Sequence, residues 1–123
     1  MSNPKSVLIA DDEPNILLSL EFLMRKKGYE VFIARNGSEA IEIIKKEKLD
    51  VAVLDIMMPD VDGYQICKYI KETESYAQCK VLFLSAKSKE ADIEKGFAMG
   101  ADAYLTKPFS TKELMQRVLE LSQ

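Results

Sequence analysis

The sequence predicts an α/β fold, a doubly wound five-stranded parallel sheet between two layers of helices. Short apolar runs rich in Val, Ile and Phe alternate along the chain with segments whose apolar residues recur every three or four positions. The first pattern is typical of buried strands and the second of helices with one buried face. Because parallel strands need crossover connections, and right-handed crossovers place helices on both faces, the strict alternation predicts three layers.

Five apolar runs predict the strands, over residues 7–10, 31–34, 51–54, 81–84 and, more weakly, 103–105. The first, third and fourth runs are continuously apolar, as expected for central strands covered on both faces. The fifth run is shorter and more polar, so we expect it at an edge of the sheet. No glycine-rich nucleotide loop follows the first strand, which argues against a bound nucleotide.

The helices are predicted from apolar sets between the strands. These sets are Ile16, Leu17, Leu20, Leu23 and Met24; Ala40, Ile41 and Ile44; Ile66 and Ile70; Ile93 and Phe97; and Leu114, Val118 and Leu121. Pro14 suits a first helical position, and Gly28 suits the left-handed residue just past a helix end. Two pairs have the spacing of N-terminal caps, Asn36 with Glu39 and Ser110 with Glu113.

Size and composition indicate one globular domain. The 123 residues suffice for a single core, and we expect residues 1–123 to form one domain. A net charge of -3, with 47% apolar and 30% charged residues, is typical of a soluble protein and not of one that coats nucleic acid. The apolar runs are far shorter than the roughly 20 residues that span a bilayer, so we expect a cytoplasmic protein that does not bind membranes.

The chain contains two cysteines and no histidine. Cys67 and Cys79 match no zinc-binding spacing, and we expect both to be reduced thiols. The absence of histidine excludes Ser/His/Asp and Cys/His catalysis, imidazole metal ligands and a role as a phosphohistidine carrier.

Polar residues follow four of the predicted strands. In open parallel sheets, ligands bind outside the carboxyl ends of the strands, so these residues are predicted to meet at one edge. They are Asp11, Asp12 and Glu13 after the first strand, Asp55 after the third, Ser85, Ala86 and Lys87 after the fourth, and Thr106, Lys107 and Pro108 after the fifth.

Three aspartates at this edge, Asp11, Asp12 and Asp55, predict a metal site. At about 5 Å and an effective dielectric near 20, each ionised pair repels by roughly 3 kcal/mol, and a divalent cation reverses that sign. Mg²⁺ prefers one or two carboxylates and keeps its other positions for water and phosphate, so we predict Mg²⁺ as the cofactor. With Mg²⁺ and Lys107 offsetting its charge, Asp55 can act as a nucleophile.

Several of these polar residues also have ordinary structural interpretations. Glu13, beside Pro14, is interpreted as a helix N-cap. Asp60 and Asp62, near Gly63, are interpreted as turn and cap residues. Their arrangement at successive strand ends, and not any single residue, carries the functional prediction.

The motifs together resemble a known family. The Asp pair of LIADDEPN, the Asp of VAVLDIMMPDVDG, the Ser of LFLSAK and the Lys-Pro of GADAYLTKPFS are similar, in order and spacing, to the receiver domain of bacterial two-component response regulators. The chemotaxis regulator is the single-domain example of that family. The resemblance spans residues 5–121 and implies a flavodoxin-like (βα)5 sandwich.

The resemblance implies a role for each residue of the site. Asp55 corresponds to the phosphoacceptor, which is ionised near neutral pH and needs no general base. Asp12 corresponds to a direct Mg²⁺ ligand, Asp11 to a ligand through water, and the backbone carbonyl of Met57 to a third protein ligand. Lys107 corresponds to the residue that contacts a phosphoryl oxygen and, before transfer, Asp55 itself.

The resemblance also implies a conformational switch. Ser85 corresponds to the switch hydroxyl and Tyr104 to an aromatic residue that moves inward with it, and the bond between Lys107 and Pro108 corresponds to a cis peptide. The switch would reshape the surface of helix 4, strand 5 and helix 5 for partner binding or for homodimer formation on activation.

The implied function is phosphorelay signal transduction. The phosphoryl donor would be a sensor histidine kinase or a histidine phosphotransfer protein, and the domain would catalyse only its own phosphorylation and dephosphorylation. Ala103 replaces an acid that many DNA-binding members use in dimer salt bridges, and no nucleic-acid binding by this domain is expected. The chain is expected to be either a stand-alone receiver or one excised from a longer regulator or hybrid kinase.

Two alternatives belong to other classes. The first is a receiver-like scaffold that binds partners without being phosphorylated. The second is a Mg²⁺-dependent phosphatase of the haloacid-dehalogenase type, which would need an Asp two residues after the nucleophile, where this chain has Met57.

Overall fold

The computed structural model describes residues 4–123, so the first three residues of the domain predicted over 1–123 lie outside the described part of the chain. In the described part, strands and helices alternate without exception: β1 (Ser6–Ala10), α1 (Pro14–Lys26), β2 (Glu30–Ala34), α2 (Gly37–Lys46), β3 (Val51–Asp55), α3 (Gly63–Glu72), β4 (Lys80–Ser85), α4 (Glu90–Ala98), β5 (Ala103–Thr106) and α5 (Thr111–Leu121). Each strand begins and ends within one residue of its predicted bounds.

The strands form one parallel sheet in the order β2-β1-β3-β4-β5. This confirms the predicted doubly wound α/β fold, with β1, β3 and β4 in the centre and β5 at an edge. The chain leaves β1 for β2 on one side and then crosses to β3 on the other. The strand order therefore reverses between β1 and β3, where open α/β sheets bind ligands.

Each face of the sheet buries its own core, because successive side chains of a strand point to opposite faces. In β1, Val7 and Ile9 pack on the face that α1 and α5 cover, whereas Leu8 and Ala10 pack on the face that α2 and α3 cover. The layers thus follow the predicted sandwich, and the carboxyl ends of the parallel strands all lie at one edge of the sheet.

The helix ends largely agree with the predicted signals. Pro14 is the first residue of α1, Gly28 follows the helix with a φ of 95°, and the Asn36 side chain caps α2. Ser110 caps α5, and Asp62 makes a full capping box with Gln65 at α3, as expected of a cap residue. Glu13 occupies the N-cap position of α1, but its side chain makes no capping bond. Its predicted N-cap position is thus confirmed, without the side-chain bond that often accompanies it.

Helix α4 buries a different residue from those that the sequence predicted. Ile93 and Phe97 were expected on its buried face, yet Ile93 is only partly buried and 47% of Phe97 is exposed. The buried residue of this helix is Gly96, because the rings of Tyr104 and Phe83 lie where a side chain would be. A Cβ at Gly96 would come within 2.9 Å of the Tyr104 ring.

Cys67 and Cys79 are both buried free thiols, and burial raises the pKa of Cys67 to about 11 and of Cys79 to about 12.

Within residues 4–123, no helix combines the length and the apolar character needed to cross a membrane.

Candidate functional site: a carboxylate cluster at the carboxyl edge of the sheet

Three aspartates meet at the point where the strand order reverses. Asp11 follows β1 and is 1% exposed, Asp55 is the last residue of β3 and is 5% exposed, and Asp12 lies at the surface. Each offers a carboxylate oxygen, and these oxygens lie within 4.8 Å of one another. The fold therefore brings together the three acids that the sequence predicted to meet.

Lys107 reaches this cluster from the loop after β5. Its Nζ lies 2.9 Å from Asp11 Oδ2 and 3.1 Å from Glu13 Oε1, but 3.6 Å from Asp55 Oδ2. The hydrogen bonds thus go to Asp11 and Glu13, and the contact with Asp55 expected from the resemblance is a longer ion pair. Burial by itself would lower the pKa of Lys107, but its bonds to Asp11 and Glu13 and the nearby charge of Asp55 raise it. Lys107 is consequently protonated and positively charged near neutral pH.

The environment of Asp55 raises the pKa of its carboxyl group to about 6, first through burial and then through repulsion from Asp11. Lys107 and a hydrogen bond from the Met57 N–H, at 3.4 Å from Oδ1, oppose this shift only in part. Asp55 is therefore still mostly ionised at pH 7 and above, as expected, but a large fraction is protonated near pH 6. A cation beside it would favour the ionised form further.

We expect the Asp55→Asn variant to be more stable than the wild type in metal-free buffer, by an amount that depends on pH. Between the unfolded pKa near 3.9 and the folded pKa of about 6, the folded protein holds the Asp55 proton more tightly, so the contribution of this group to stability falls as pH rises. Asparagine lacks this titration. In denaturant unfolding with a chelator, the stability of Asp55→Asn relative to the wild type should rise by about 1 to 3 kcal/mol between pH 4 and pH 7.

A gap that is the same at all these pH values would contradict the raised pKa. Glu120→Gln makes the same change of acid to amide at an exposed carboxylate of α5 and is the control.

The loop between β3 and α3 is held by close backbone contacts. A Cβ at Gly63 would lie 2.6 Å from the carbonyl oxygen of Asp55, so only glycine allows α3 to begin this near the end of β3. Asp60 has a φ of 64° and accepts hydrogen bonds from the N–H and the hydroxyl of Ser38 at the start of α2. The turn role predicted for Asp60 fits this geometry. Met57, between these anchors, is 60% exposed.

The two predicted switch residues, Ser85 and Tyr104, belong to β4 and β5, which lie on the side of β3 away from β1. Ser85 ends β4 with no exposed surface, and its Oγ accepts a hydrogen bond of 3.0 Å from the Lys87 N–H. The Tyr104 hydroxyl donates a bond of 2.8 Å to the Lys87 carbonyl, and its ring packs edge-on against Phe83. Both side chains are thus tied to the backbone of one residue. The Lys107–Pro108 peptide bond is cis.

The donor set is suited to a hard divalent cation. Three carboxylate oxygens within 4.8 Å, with no nitrogen or sulfur donor among them, match the preference of Mg²⁺ for oxygen ligands. The exposed side of Asp12 leaves room for water and phosphate oxygens.

Comparison with known families decides the classification. The family model of the response regulator receiver domain matches residues 7–119. The chain belongs to this family. Receiver domains are signalling domains of two-component phosphorelays, they interact with histidine kinases or phosphotransfer proteins, and they generally bind Mg²⁺ at an acidic pocket. The resemblance seen in the sequence is confirmed.

Solved receiver domains have the same fold along nearly the whole chain. The receiver domain of the Francisella response regulator 1452 is 35% identical, with 96% of each chain covered and a TM-score of 0.89. The BeF3-activated DrrB receiver domain is 34% identical, with 96% of this chain and 97% of that chain covered and a TM-score of 0.88. The chemotaxis response regulator CheY4 of Vibrio cholerae is 28% identical, with 96% and 98% covered and a TM-score of 0.90.

The structure adds two residues that the sequence did not single out in these roles. Glu13 was interpreted as a cap but bonds Lys107, and Gly63 fixes the approach of α3 to Asp55. Gly63 could have been found from its position at the start of a helix and shortly after a strand end, where a close backbone contact favours glycine. Glu13 carried no such signal, because an acid before a helix is ordinary.

Proposed function

We propose that this receiver domain accepts a phosphoryl group on Asp55 from a phosphohistidine of a sensor histidine kinase or a histidine phosphotransfer protein. The observation that supports the proposal best is the cluster itself: a buried carboxylate of raised pKa, two further aspartates and a fixed ammonium at the switch point of the sheet. The proposal extends the family's role in phosphorelays to named atoms of this chain.

In the proposed step, an Asp55 Oδ atom forms a bond to phosphorus while the P–N bond of the phosphohistidine breaks. The electron pair of that bond returns to the imidazole of the partner, which takes up a proton from water. The transition state is loose and spreads charge over the equatorial phosphoryl oxygens, so positioning and electrostatics suffice. The Lys107 ammonium supplies one positive charge for these oxygens, and the Ser85 hydroxyl supplies one hydrogen bond.

Asp12 and Asp55 would hold Mg²⁺ directly, Asp11 would hold it through water, and the Met57 carbonyl would complete the protein ligands. When bound, Mg²⁺ neutralises the repulsion among the aspartates and the charge of the phosphoryl oxygens. The residues of this chain position the acceptor oxygen of Asp55.

The proposed output is a change of conformation. A phosphoryl group on Asp55 would draw the Ser85 hydroxyl away from the Lys87 N–H, and Tyr104 would leave the Lys87 carbonyl and turn inward. Gly96 supports this step. Because it has no side chain, α4 packs directly against the Tyr104 ring, so a movement of that ring would change its contact with the helix. The altered surface of α4, β5 and α5 would bind a partner or a second copy of the chain, in the cytoplasm and without direct contact to nucleic acid.

The direct test is incubation with Mg²⁺ and acetyl phosphate or phosphoramidate, followed by intact-protein mass spectrometry. We expect the mass of one phosphoryl group to be added with Mg²⁺ and no addition with a chelator, because the uncompensated carboxylates repel the donor. A protein that stays unmodified with both donors and with a histidine kinase would instead be a scaffold that binds partners without phosphorylation.

A further inference from the structure

Lys107 divides its hydrogen bonds unequally among three carboxylates. An ammonium group has three N–H donors, and here the two short contacts go to Asp11 at 2.9 Å and Glu13 at 3.1 Å. Asp55, at 3.6 Å, lies beyond a good hydrogen bond. The positive charge therefore rests against the acids of the β1–α1 loop and not against the proposed acceptor.

Within residues 4–123, the Glu13 carboxylate makes no hydrogen bond or ion pair other than the one to Lys107. It occupies the N-cap position of α1 without a side-chain cap bond, and its side chain is 58% exposed. Its backbone N–H donates to Asp11 Oδ1 at 2.9 Å, which holds the residue beside the cluster. Its carboxylate is not one of the three that could hold a metal ion together. Glu13 thus holds Lys107 and lies outside the group of acids that could hold a cation together.

We propose that Glu13 is a positioning residue that holds Lys107 away from Asp55 in the unphosphorylated domain and so slows phosphoryl transfer. The inference rests on the proposed function. Asp11 also holds Lys107, but a cation bound near Asp11 competes for that carboxylate, whereas Glu13 keeps its charge free for the lysine. Lys107 must weaken its bond to Glu13 before its ammonium can face the phosphoryl oxygens, so part of the cost of reaching the transition state is the loss of this ion pair.

The first test is structural and needs no phosphorylation. The test compares crystal structures of the metal-free wild type and of the Glu13→Ala variant. This change removes no capping bond from α1. In the variant we expect Lys107 Nζ to move to within about 2.9 Å of an Asp55 carboxylate oxygen, the usual length of a charged hydrogen bond. A lysine that keeps its present distance from Asp55 in the variant would overturn the proposal.

The second test is kinetic, with phosphoramidate and Mg²⁺ and with intact-protein mass spectrometry as the readout. Glu13→Ala should raise the rate constant of phosphorylation by about two- to fivefold, the value of losing one partly exposed ion pair. Glu120→Ala is the matched control, since Glu120 is 56% exposed, pairs with Arg117 on α5 and carries the same charge. It should leave the rate unchanged.

A double-mutant cycle separates positioning from simple repulsion of the donor by Glu13. In a Lys107→Ala background, Glu13→Ala should have no effect on the rate, because the residue through which it acts is gone. An acceleration that persists there, or one that is absent in the wild-type background, would overturn the proposal. A wild type that is not phosphorylated at all would refute the proposed function, and the crystallographic distance would still decide the role of Glu13.

Discussion

Asp55→Asn is expected to lose phosphorylation with acetyl phosphate and with phosphoramidate, by at least about a thousandfold in rate. An amide oxygen is a poor nucleophile, and neither of the other two aspartates is placed to replace Asp55. Asp11 is already engaged by a 2.9 Å bond to Lys107, and Asp12 lies at the surface. Intact-protein mass spectrometry of the variant, with Mg²⁺ and an excess of donor, measures the effect.

The control for this result is Asp60→Asn, in the same loop. Asp60 is exposed, and its left-handed backbone is one that asparagine tolerates well. This variant should be phosphorylated at the rate of the wild type. If Asp55→Asn is modified as fast as Asp60→Asn, then Asp55 is not the acceptor.

Gly63→Ala is expected to destabilise the domain strongly and to slow phosphorylation. The new Cβ would lie 2.6 Å from the Asp55 carbonyl oxygen and 2.8 Å from the Ile56 Cα, and both are backbone atoms that cannot turn aside. Relieving such an overlap moves the end of β3, so we expect a loss of about 1 to 3 kcal/mol in the free energy of unfolding. The same movement displaces the Asp55 carboxylate, and phosphorylation should slow as well.

Gly28→Ala separates steric overlap from backbone strain. Gly28 has a φ of 95°, yet a Cβ there would meet nothing within 4 Å, and the residue lies at the opposite end of α1 from the site. We expect a loss of about 1 kcal/mol from the left-handed backbone and an unchanged phosphorylation rate. A Gly63→Ala variant that matches the wild type in both denaturant unfolding and phosphorylation rate would contradict the close contact at Asp55.

The sequence was sufficient to predict the sheet because burial and chain direction determine it. The runs in β1, β3 and β4 are apolar throughout, and all three strands are central, whereas β5 has a shorter run and lies at an edge. The exception is α4, where the expected apolar residue Phe97 is largely exposed and Gly96 is buried. Helical periodicity marks apolar residues and cannot show that an aromatic ring of a neighbouring strand fills the place of a side chain.

The residues that form the site were also predictable, because parallel strands bring their carboxyl ends together whatever the loops do. The contacts within the site were not. The hydrogen bonds of Lys107 depend on the conformation of a long flexible side chain among three acids, and differences of a few tenths of an ångström decide which acid it binds. Repulsion among the aspartates predicts a raised pKa for Asp55 from the sequence, but the larger cause is burial, whose degree composition and spacing do not give.

We propose that the residues at the carboxyl edge of the sheet enable the Asp55 carboxylate to accept a phosphoryl group. Borohydride reduces an acyl phosphate of aspartate to homoserine, so treatment of the phosphorylated protein followed by peptide sequencing identifies the residue that carried the group. We expect homoserine at position 55 and at no other aspartate. A phosphoryl group that resists borohydride, or homoserine at Asp11 or Asp12, would contradict the account.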